Sequence, residues 1–496
     1  MAPTFSNLFE QTRLAARSLV EYGESLIHPT VRLGITGLSR AGKTVFITAL
    51  VHGLVRDGRF PVFEALSEGR VVRARLAPQP DDAVPRFDYE NHVRDLVMDR
   101  VWPDSTRQIS ELRLVIEYQS RSGAMRKLVL DMVDYPGEWL LDLPLLSKNF
   151  EAWSAETLEL SRSEPRARLA ASWHAHLATL DAAAPADEST AIAAARLFTA
   201  YLTACRNEHY AMSLLPPGRF LMPGDLAGSP ALTFAPLEVA GDGAPRDGSL
   251  WAMMRRRYEA YKNVVVRPFF RDHFARLDRQ IVLIDALAAL NAGPEAVDDL
   301  ERAFRSLLDC FAIGRRTFLS ALLRPRADRI LFAATKADHL HHASHDRLEA
   351  ILRRMVERAI ARADVAGASV DVIALAAVRA TREAEVRRGG AALPCILGVP
   401  APGEAGSSGR DGFDGKMFDG KTEIAVFPGE LPDDPDDLFA SAASFRGLTA
   451  AGMEGTDFHF MRFRPPPLET TGDDAPALPH IRLDRALQFL IGDRLT

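Results

Sequence analysis

Apolar residues in this chain gather in short, nearly unbroken runs separated by longer stretches of helical period. Val31 to Thr36 (VRLGIT), Leu112 to Tyr118 (LRLVIEY), Lys127 to Val133 (KLVLDMV), Gln280 to Ile284 (QIVLI), Arg329 to Ala334 (RILFAA) and Val370 to Leu375 (VDVIAL) are the clearest. Such runs predict strands buried on both faces, as in a parallel sheet covered by helices. Val45 to Val55 (VFITALVHGLV) follows the first run as a buried helix. Between Glu151 and Arg206 the spacing changes to threes and fours. Leu169, Trp173, His176, Leu177 and Leu180 share one helix face and Ile192, Ala195, Thr199 and Leu202 the next, with Pro165 and Pro185 as breaks. Leu214 to Pro236 is a Pro/Gly-rich connection, and Leu250 to Leu277 is helical again. The pattern is that of an α/β core interrupted by helices.

The flanks are more polar. Phe5, Leu8, Thr12, Ala15, Leu19, Tyr22 and Leu26 mark an amphipathic N-terminal helix. Glu10, Glu21 and Glu24 offset Arg13 and Arg17, which favours packing on the core, with contact to a membrane surface as the alternative. Asp57 to Asp104 is a long excursion holding a polar loop, Ala77 to Pro85, and a helix near Tyr89 to Arg100. Gly398 to Asp436 is loop-rich with a short strand in TEIAVF; Phe458 to Arg464 reads as a strand and Leu483 to Leu495 as a closing amphipathic helix.

At 496 residues the chain exceeds a usual single domain. The expected division is an N-terminal helix (1–30), a first core part (31–143), an inserted helical domain (144–277), a second core part (278–395) and a C-terminal extension (396–496). A net charge of −6 argues against a nucleic-acid partner. Cys205, Cys310 and Cys395 form neither a disulfide framework nor a zinc pattern, which fits a reducing, cytoplasmic setting. With no run of about 18 uninterrupted apolar residues, nothing is expected to span a membrane.

Chemistry enters at Gly37-Leu38-Ser39-Arg40-Ala41-Gly42-Lys43-Thr44, a G-x-x-x-x-G-K-T phosphate loop set between strand and helix. Its glycines let backbone N–H groups face phosphate oxygens at the positive end of a helix. Lys43 would reach the β- and γ-phosphates and Thr44 would ligate Mg²⁺. Asp134-Tyr135-Pro136-Gly137 closes a buried strand, placing Asp134 to hold Mg²⁺ through water and the Gly137 N–H to meet the γ-phosphate. Thr335-Lys336-Ala337-Asp338 closes another. The Asp338 carboxylate can accept from both N1–H and the 2-amino group of guanine while the Lys336 stem covers the ring; adenine would leave that charge unpaired. His339 stands beside this motif. Ala376-Ala377-Val378-Arg379 ends a fourth run; it resembles the place where GTPases set a backbone N–H on guanine O6, which implies that role for Ala377 and Val378, although Ala377, Val378 and Arg379 depart from the usual Ser-Ala-Lys. Before the LRLVIEY strand, Trp102-Pro103-Asp104-Ser105-Thr106-Arg107 is placed to supply the switch threonine, Thr106, with Ser105 and Arg107 near the phosphates and Trp102 as a shield or as core. Ser39, Arg40, Ala41, Gly42, Lys43, Thr44 and Val45 complete the nucleotide contacts; Thr44, Thr106 and Asp134 are the metal set.

These motifs stand in the order of Ras-like GTPases. More specifically, LSRAGKTVFITALV, WPDSTRQISELRL, DYPGEWLLDLPLL, RQIVLIDALAALNAGPEA, LFAATKADH and PHIRLDRALQFLIGDRL resemble the YcjX-like family of bacterial stress-associated GTP-binding proteins. The resemblance implies a Ras-like domain with a mostly parallel six-stranded sheet, helices on both faces, GTP/GDP with Mg²⁺, and a role in stress response. Asp134 and Lys336 are 202 residues apart (336 minus 134), so a large insertion is expected. Glu138 occupies the place where Ras-like enzymes carry the water-orienting glutamine. A carboxylate there repels the γ-phosphate unless a cation offsets it, so slow hydrolysis is expected, with Arg40 or Arg107 as an internal arginine finger. The alternative is a nucleotide-stabilised scaffold with negligible turnover. The protein effector is not identified by sequence, and a membrane surface is one place it could sit. His339, His341, His342 and His345 invite a metal reading, but read first as a solvated helix start, as Arg255-Arg256-Arg257 read as a solvated face.

Overall fold

The computed structural model describes residues 29–37, 40–56, 58–104, 108–207, 209–238, 246–311, 327–388, 391–404, 417–439, 460–468 and 476–496. Its centre is one mixed sheet of seven strands: β1 (Thr30–Gly37), β2 (Val71–Ala77), β3 (Ser110–Gln119), β4 (Met125–Asp134), β5 (Arg279–Ile284), β6 (Arg329–Ala334) and β7 (Ser369–Ala374). They lie in the order β2-β3-β4-β1-β5-β6-β7. The four ladders from β4 through β1, β5 and β6 to β7 are parallel, whereas β2–β3 and β3–β4 are antiparallel. The six apolar runs are all strands here. The expected count of six strands is corrected to seven by β2, an edge strand inside the long excursion. It fully buries only Ala74 and exposes Val72, so its sequence carries little of the buried-strand signal.

The two sheet faces carry separate cores. On one, Leu33, Ile35, Leu130 and Leu283 pack against α1 (Lys43–Val55) and a C-terminal helix described below. Nearly every residue of α1 is buried, as its lack of a polar face requires. On the other, Val282, Ile284, Phe332 and Val372 share a continuous core with the helices that fill most of the chain between β4 and β5. The main ones are α2 (Phe150–Ser161), α3 (Glu188–Arg206) and α4 (Leu250–Tyr261); α5 (Ala286–Ala292), α6 (Pro294–Phe311) and α7 (His345–Ala366) join the same face after β5. No strand occurs between β4 and β5 among the described residues. The buried face of α3 is Ala191, Ala194, Ala195, Phe198, Leu202 and Cys205, while Ile192 is 48% exposed. The predicted stripe is thus turned by about one residue, because Phe198 and Tyr201, not Ile192, dock on Trp173. Arg257 also departs from its predicted solvated face: it is buried, donates to the Thr233 carbonyl at 3.0 Å and pairs with Glu188.

After β7 the chain forms a second, antiparallel sheet from β8 (Arg382–Arg388), β9 (Ala391–Gly398) and β10 (Ile424–Val426). The β8–β9 hairpin was not legible, since REAEVRR offers a single apolar side chain besides alanine. The predicted strand near Phe463 reduces to one bridge with Pro400; Phe458 and His459 lie outside the described residues, as does the N-terminal helix. Finally α8 (Leu483–Ile491) returns to the main sheet, burying Leu483, Leu487, Leu490 and Ile491. Each such side chain contributes on the order of 1.5–3 kcal/mol. No helix among the described residues is long and apolar enough to cross a membrane.

Candidate nucleotide site

Parallel register brings the motif-bearing strand ends to one edge of the sheet. Gly37 pairs with Leu283 across β1 and β5, Ile35 with Asp134, Ile284 with Ala334, and Ala334 with Ala374. Gly37, Asp134, Asp285, Thr335 and Leu375 therefore lie together at the carboxyl ends of their strands, where ligands bind in open α/β sheets.

Between β1 and α1 the chain turns through Arg40 (φ 61°) and Gly42 (φ 78°), both left-handed. Gly42 serves as the N-cap of α1, so the loop leads straight into the helix N-terminus. Ala41 is buried and Val45 half-buried. The Lys43 ammonium is buried and donates to the Gly37 carbonyl across the loop at 3.4 Å, a long and exchangeable contact. Thr44 Oγ1 donates to the Asp104 carbonyl at 3.3 Å, which brings the segment leading to the predicted switch threonine onto the loop. Ser39, Ser105, Thr106 and Arg107 themselves lie outside the described residues. Asp134 is buried at the tip of β4.

The base-specificity motif is shaped by its backbone. Lys336 is left-handed (φ 61°), and Ala337–His339 form a single 3₁₀ turn. Asp338 is buried, and its Oδ2 accepts from the Ala380 N–H at 2.8 Å; the Thr381 hydroxyl donates to its carbonyl. The Ala337 N–H donates to the Leu375 carbonyl at 3.1 Å, which seats this loop against Ala377 and Val378 after β7. That neighbouring loop is held in turn by the tail: Ala376 bridges to Ile481, and the Arg379 N–H donates to the Pro479 carbonyl at 2.7 Å. Lys336 pairs with Asp285, which also caps α5 by accepting from the Ala288 N–H at 3.1 Å. His339 is buried edge-on to Phe463, and burial lowers its pKa so that the ring is neutral at pH 7. His339 and His345 thus depart from the predicted solvated helix start, since both are buried and α7 begins only at His345. Trp102 donates to the Phe463 carbonyl at 2.6 Å, tying it to the C-terminal extension.

The segment after Gly137 is an eleven-residue 3₁₀ stretch, Gly137–Ser147, gripped from above by the helices between β4 and β5. Arg206, at the end of α3, reaches Glu138 Oε1 at 3.5 Å. The Arg219 guanidinium lies 3.2 Å over the Trp139 ring, and the Trp139 indole donates to the Met222 carbonyl at 3.1 Å. A cavity of about 180 Å³, bordered by Arg40, Arg206, Asp285, Lys336, His339 and Arg462, opens where loop, base motif and helices meet. Three of these residues, Asp285, Arg206 and Arg462, were missed from sequence. Asp285 had a readable signal, being a carboxylate that ends a buried strand as Asp134 does. Arg206 had none, because nothing local links the end of an Ala-rich helix to a residue 68 positions earlier.

A model of the YcjX-like family, described as DUF463, matches residues 31–495. The chain belongs to the YcjX-like family. Among its curated relatives, "Ras-like GTPase YcjX" of Escherichia coli (strain K12) is 37% identical over 481 residues, 94% of this chain and 96% of that protein. The "Ras-like GTPase YcjX" of Shewanella oneidensis is 32% identical over 516 residues, 97% and 99% of the two chains. The match to the YcjX-like family model includes the stretch between β4 and β5 and the tail that holds Ala376 and Arg379.

Asp142, in the gripped segment, sets a pH dependence. Burial raises its pKa to about 7, against the opposing hydrogen bonds from the Tyr261 hydroxyl (2.5 Å) and the Gly218 N–H (2.7 Å). A carboxyl that binds its proton more tightly when folded stabilises most below its unfolded pKa and loses that contribution as pH rises toward 7. Relative to Asp142→Asn, which cannot titrate and whose oxygen accepts from the Gly218 N–H while its amide donates to the Tyr261 oxygen, the parent should lose about 2–4 kcal/mol between pH 4 and pH 8. Urea unfolding of both proteins across that range measures the difference; parallel curves would remove Asp142 as its source.

Proposed function

We propose that this chain binds GDP and GTP with Mg²⁺ and hydrolyses GTP slowly as a conformational switch. The observation that carries the reading is the buried Asp338 carboxylate, set on the same sheet edge as the Lys43 loop. The shared name of the two relatives, Ras-like GTPase, supports it. In this reading the N–H groups from Ser39 to Val45 and the Lys43 ammonium hold the phosphates, Lys43 giving up its long contact to Gly37. Asp338 and the Lys336 stem select guanine, with backbone at Ala377 and Val378 on O6 and His339 beside the base.

The residues that would hold Mg²⁺ are Thr44, Thr106 and Asp134, an all-oxygen set suited to a hard cation. The buried Asp134 carboxylate at the strand tip fits that role. When bound, Mg²⁺ neutralises charge on the β- and γ-phosphates. Glu138 would orient the attacking water and accept its proton. Its charge opposes the γ-phosphate, and Arg206 at 3.5 Å offsets part of it. Gly137 and Thr106 would sense the γ-phosphate, and Arg40 borders the cavity as the internal finger, with Arg107 as its alternative.

A second reading, a nucleotide-stabilised scaffold with negligible turnover, is favoured by how firmly Gly137–Ser147 is held. Tyr258 donates to the Lys148 carbonyl at 3.1 Å and Lys262 to the same oxygen at 2.8 Å, fixing the end of the segment. Titration calorimetry should show GDP binding at least about a hundredfold tighter than ADP, because adenine offers the buried Asp338 carboxylate neither of the two donors that guanine does. Preference for ADP would overturn the proposal. Steady-state phosphate release then separates switch from scaffold.

A further inference from the structure

We propose that His341, His342 and Glu383 form a binding site for a zinc-class divalent cation that clips the Asp338 loop to β8. His341 and His342 belong to the turn just after the Ala337–His339 loop, and Glu383 is the second residue of β8. One nitrogen from each imidazole and one oxygen from the carboxylate all lie within 4.8 Å of one another. The two rings are in contact, their centroids 4.2 Å apart, so both imidazoles stand together on the side facing Glu383. His342 Nδ1 already sits 2.8 Å from Glu383 Oε2. Arg379 reaches the other oxygen, Oε1, at 3.4 Å, so the carboxylate is steadied with Oε2 turned toward the rings. His341 Nδ1 accepts a long 3.4 Å bond from the Ala343 N–H, a weak hold that coordination would replace.

Tetrahedral Zn²⁺ with bonds of about 2.0–2.1 Å sets ligand atoms roughly 3.4 Å apart, so closing the site takes shifts of about 1 Å. The side chains can make them, since that of His342 is 65% exposed and that of Glu383 33%. Two nitrogens and one oxygen select a borderline ion such as Zn²⁺ over Mg²⁺, which prefers an all-oxygen shell. The fourth position would hold water. The Ala380 N–H and Thr381 hydroxyl, immediately before β8, are the groups that hold Asp338. An ion joining Glu383 to His341 and His342 therefore braces the Asp338 cradle from its far side. Only this bracing role rests on the GTP-binding reading.

The test uses tag-free, chelator-stripped full-length protein, titrated with ZnCl₂ in competition with a chromogenic chelator. One Zn²⁺ per chain is expected, with affinity falling at least about tenfold in both His342→Ala and Glu383→Gln. Failure of the protein to compete, or unchanged affinity in both variants, would overturn the site. With the parent protein, release of a fluorescent GDP analogue should slow severalfold when Zn²⁺ is added. Release at an unchanged rate would remove the bracing role, and a chain that does not bind GDP at all still answers the zinc titration.

Discussion

Asp338→Asn should cost GDP affinity about a hundred- to ten-thousandfold and make the protein prefer xanthosine diphosphate. Two hydrogen bonds from guanine to a carboxylate contribute roughly 1.5–3 kcal/mol each, and every 1.4 kcal/mol is tenfold in affinity. The structure adds a directional argument. Because Oδ2 accepts from the Ala380 N–H at 2.8 Å, an asparagine must keep its carbonyl oxygen on that donor. Its amide N–H₂ is then presented to the base, where it meets the N1–H and 2-amino donors of guanine but the 2-carbonyl of xanthine. Calorimetry with both diphosphates measures the exchange. Unaltered selectivity would mean that Asp338 does not face the base, and the proposed function would fall with it.

Gly218→Ala should lower folding stability by about 3 kcal/mol or more, the upper range for forcing atoms into a packed interior. A Cβ at this position would stand 1.9 Å from the Glu138 carbonyl oxygen and 2.4 Å from its carbonyl carbon. Both are backbone atoms, so no side chain can swing aside. The Gly218 N–H also donates to Asp142 at 2.7 Å, which fixes the approach from the other direction. A methyl group must therefore push the Glu138 peptide away, and with it the carboxylate paired to Arg206. Urea unfolding with GDP present reads the loss of stability, and phosphate release reads the displacement of Glu138. A variant within 0.5 kcal/mol of the parent, well inside the spread of ordinary substitutions, would show that the close packing is not rigid.

Strands buried on both faces were legible because a parallel sheet leaves no choice of polar residue along most of their length. Val31 to Thr36 and Arg329 to Ala334 read directly as β1 and β6. β2 and β8 escaped because an edge strand needs few apolar residues: Ala74 is the one fully buried position of β2, and REAEVRR reads like solvent-facing helix. In the candidate site, residues whose chemistry sits in a local motif (Lys43, Thr44, Asp134, Lys336, Asp338) were named from spacing alone. What could not be read were partners supplied across long separations. Arg206 on Glu138, Ala380 on Asp338 and Gly218 against the Glu138 carbonyl depend on how the connections fold back, which no local pattern encodes.

The stitching of Pro479 and Ile481 to Arg379 and Ala376 carries an order of events with it. A chain emerging from the ribosome completes β1, the loop and the Asp338 motif long before it makes these tail residues, and domains fold as units in the order in which they are synthesised. Guanine selectivity should therefore be acquired last during biogenesis, once the tail has closed on Ala376 and Arg379.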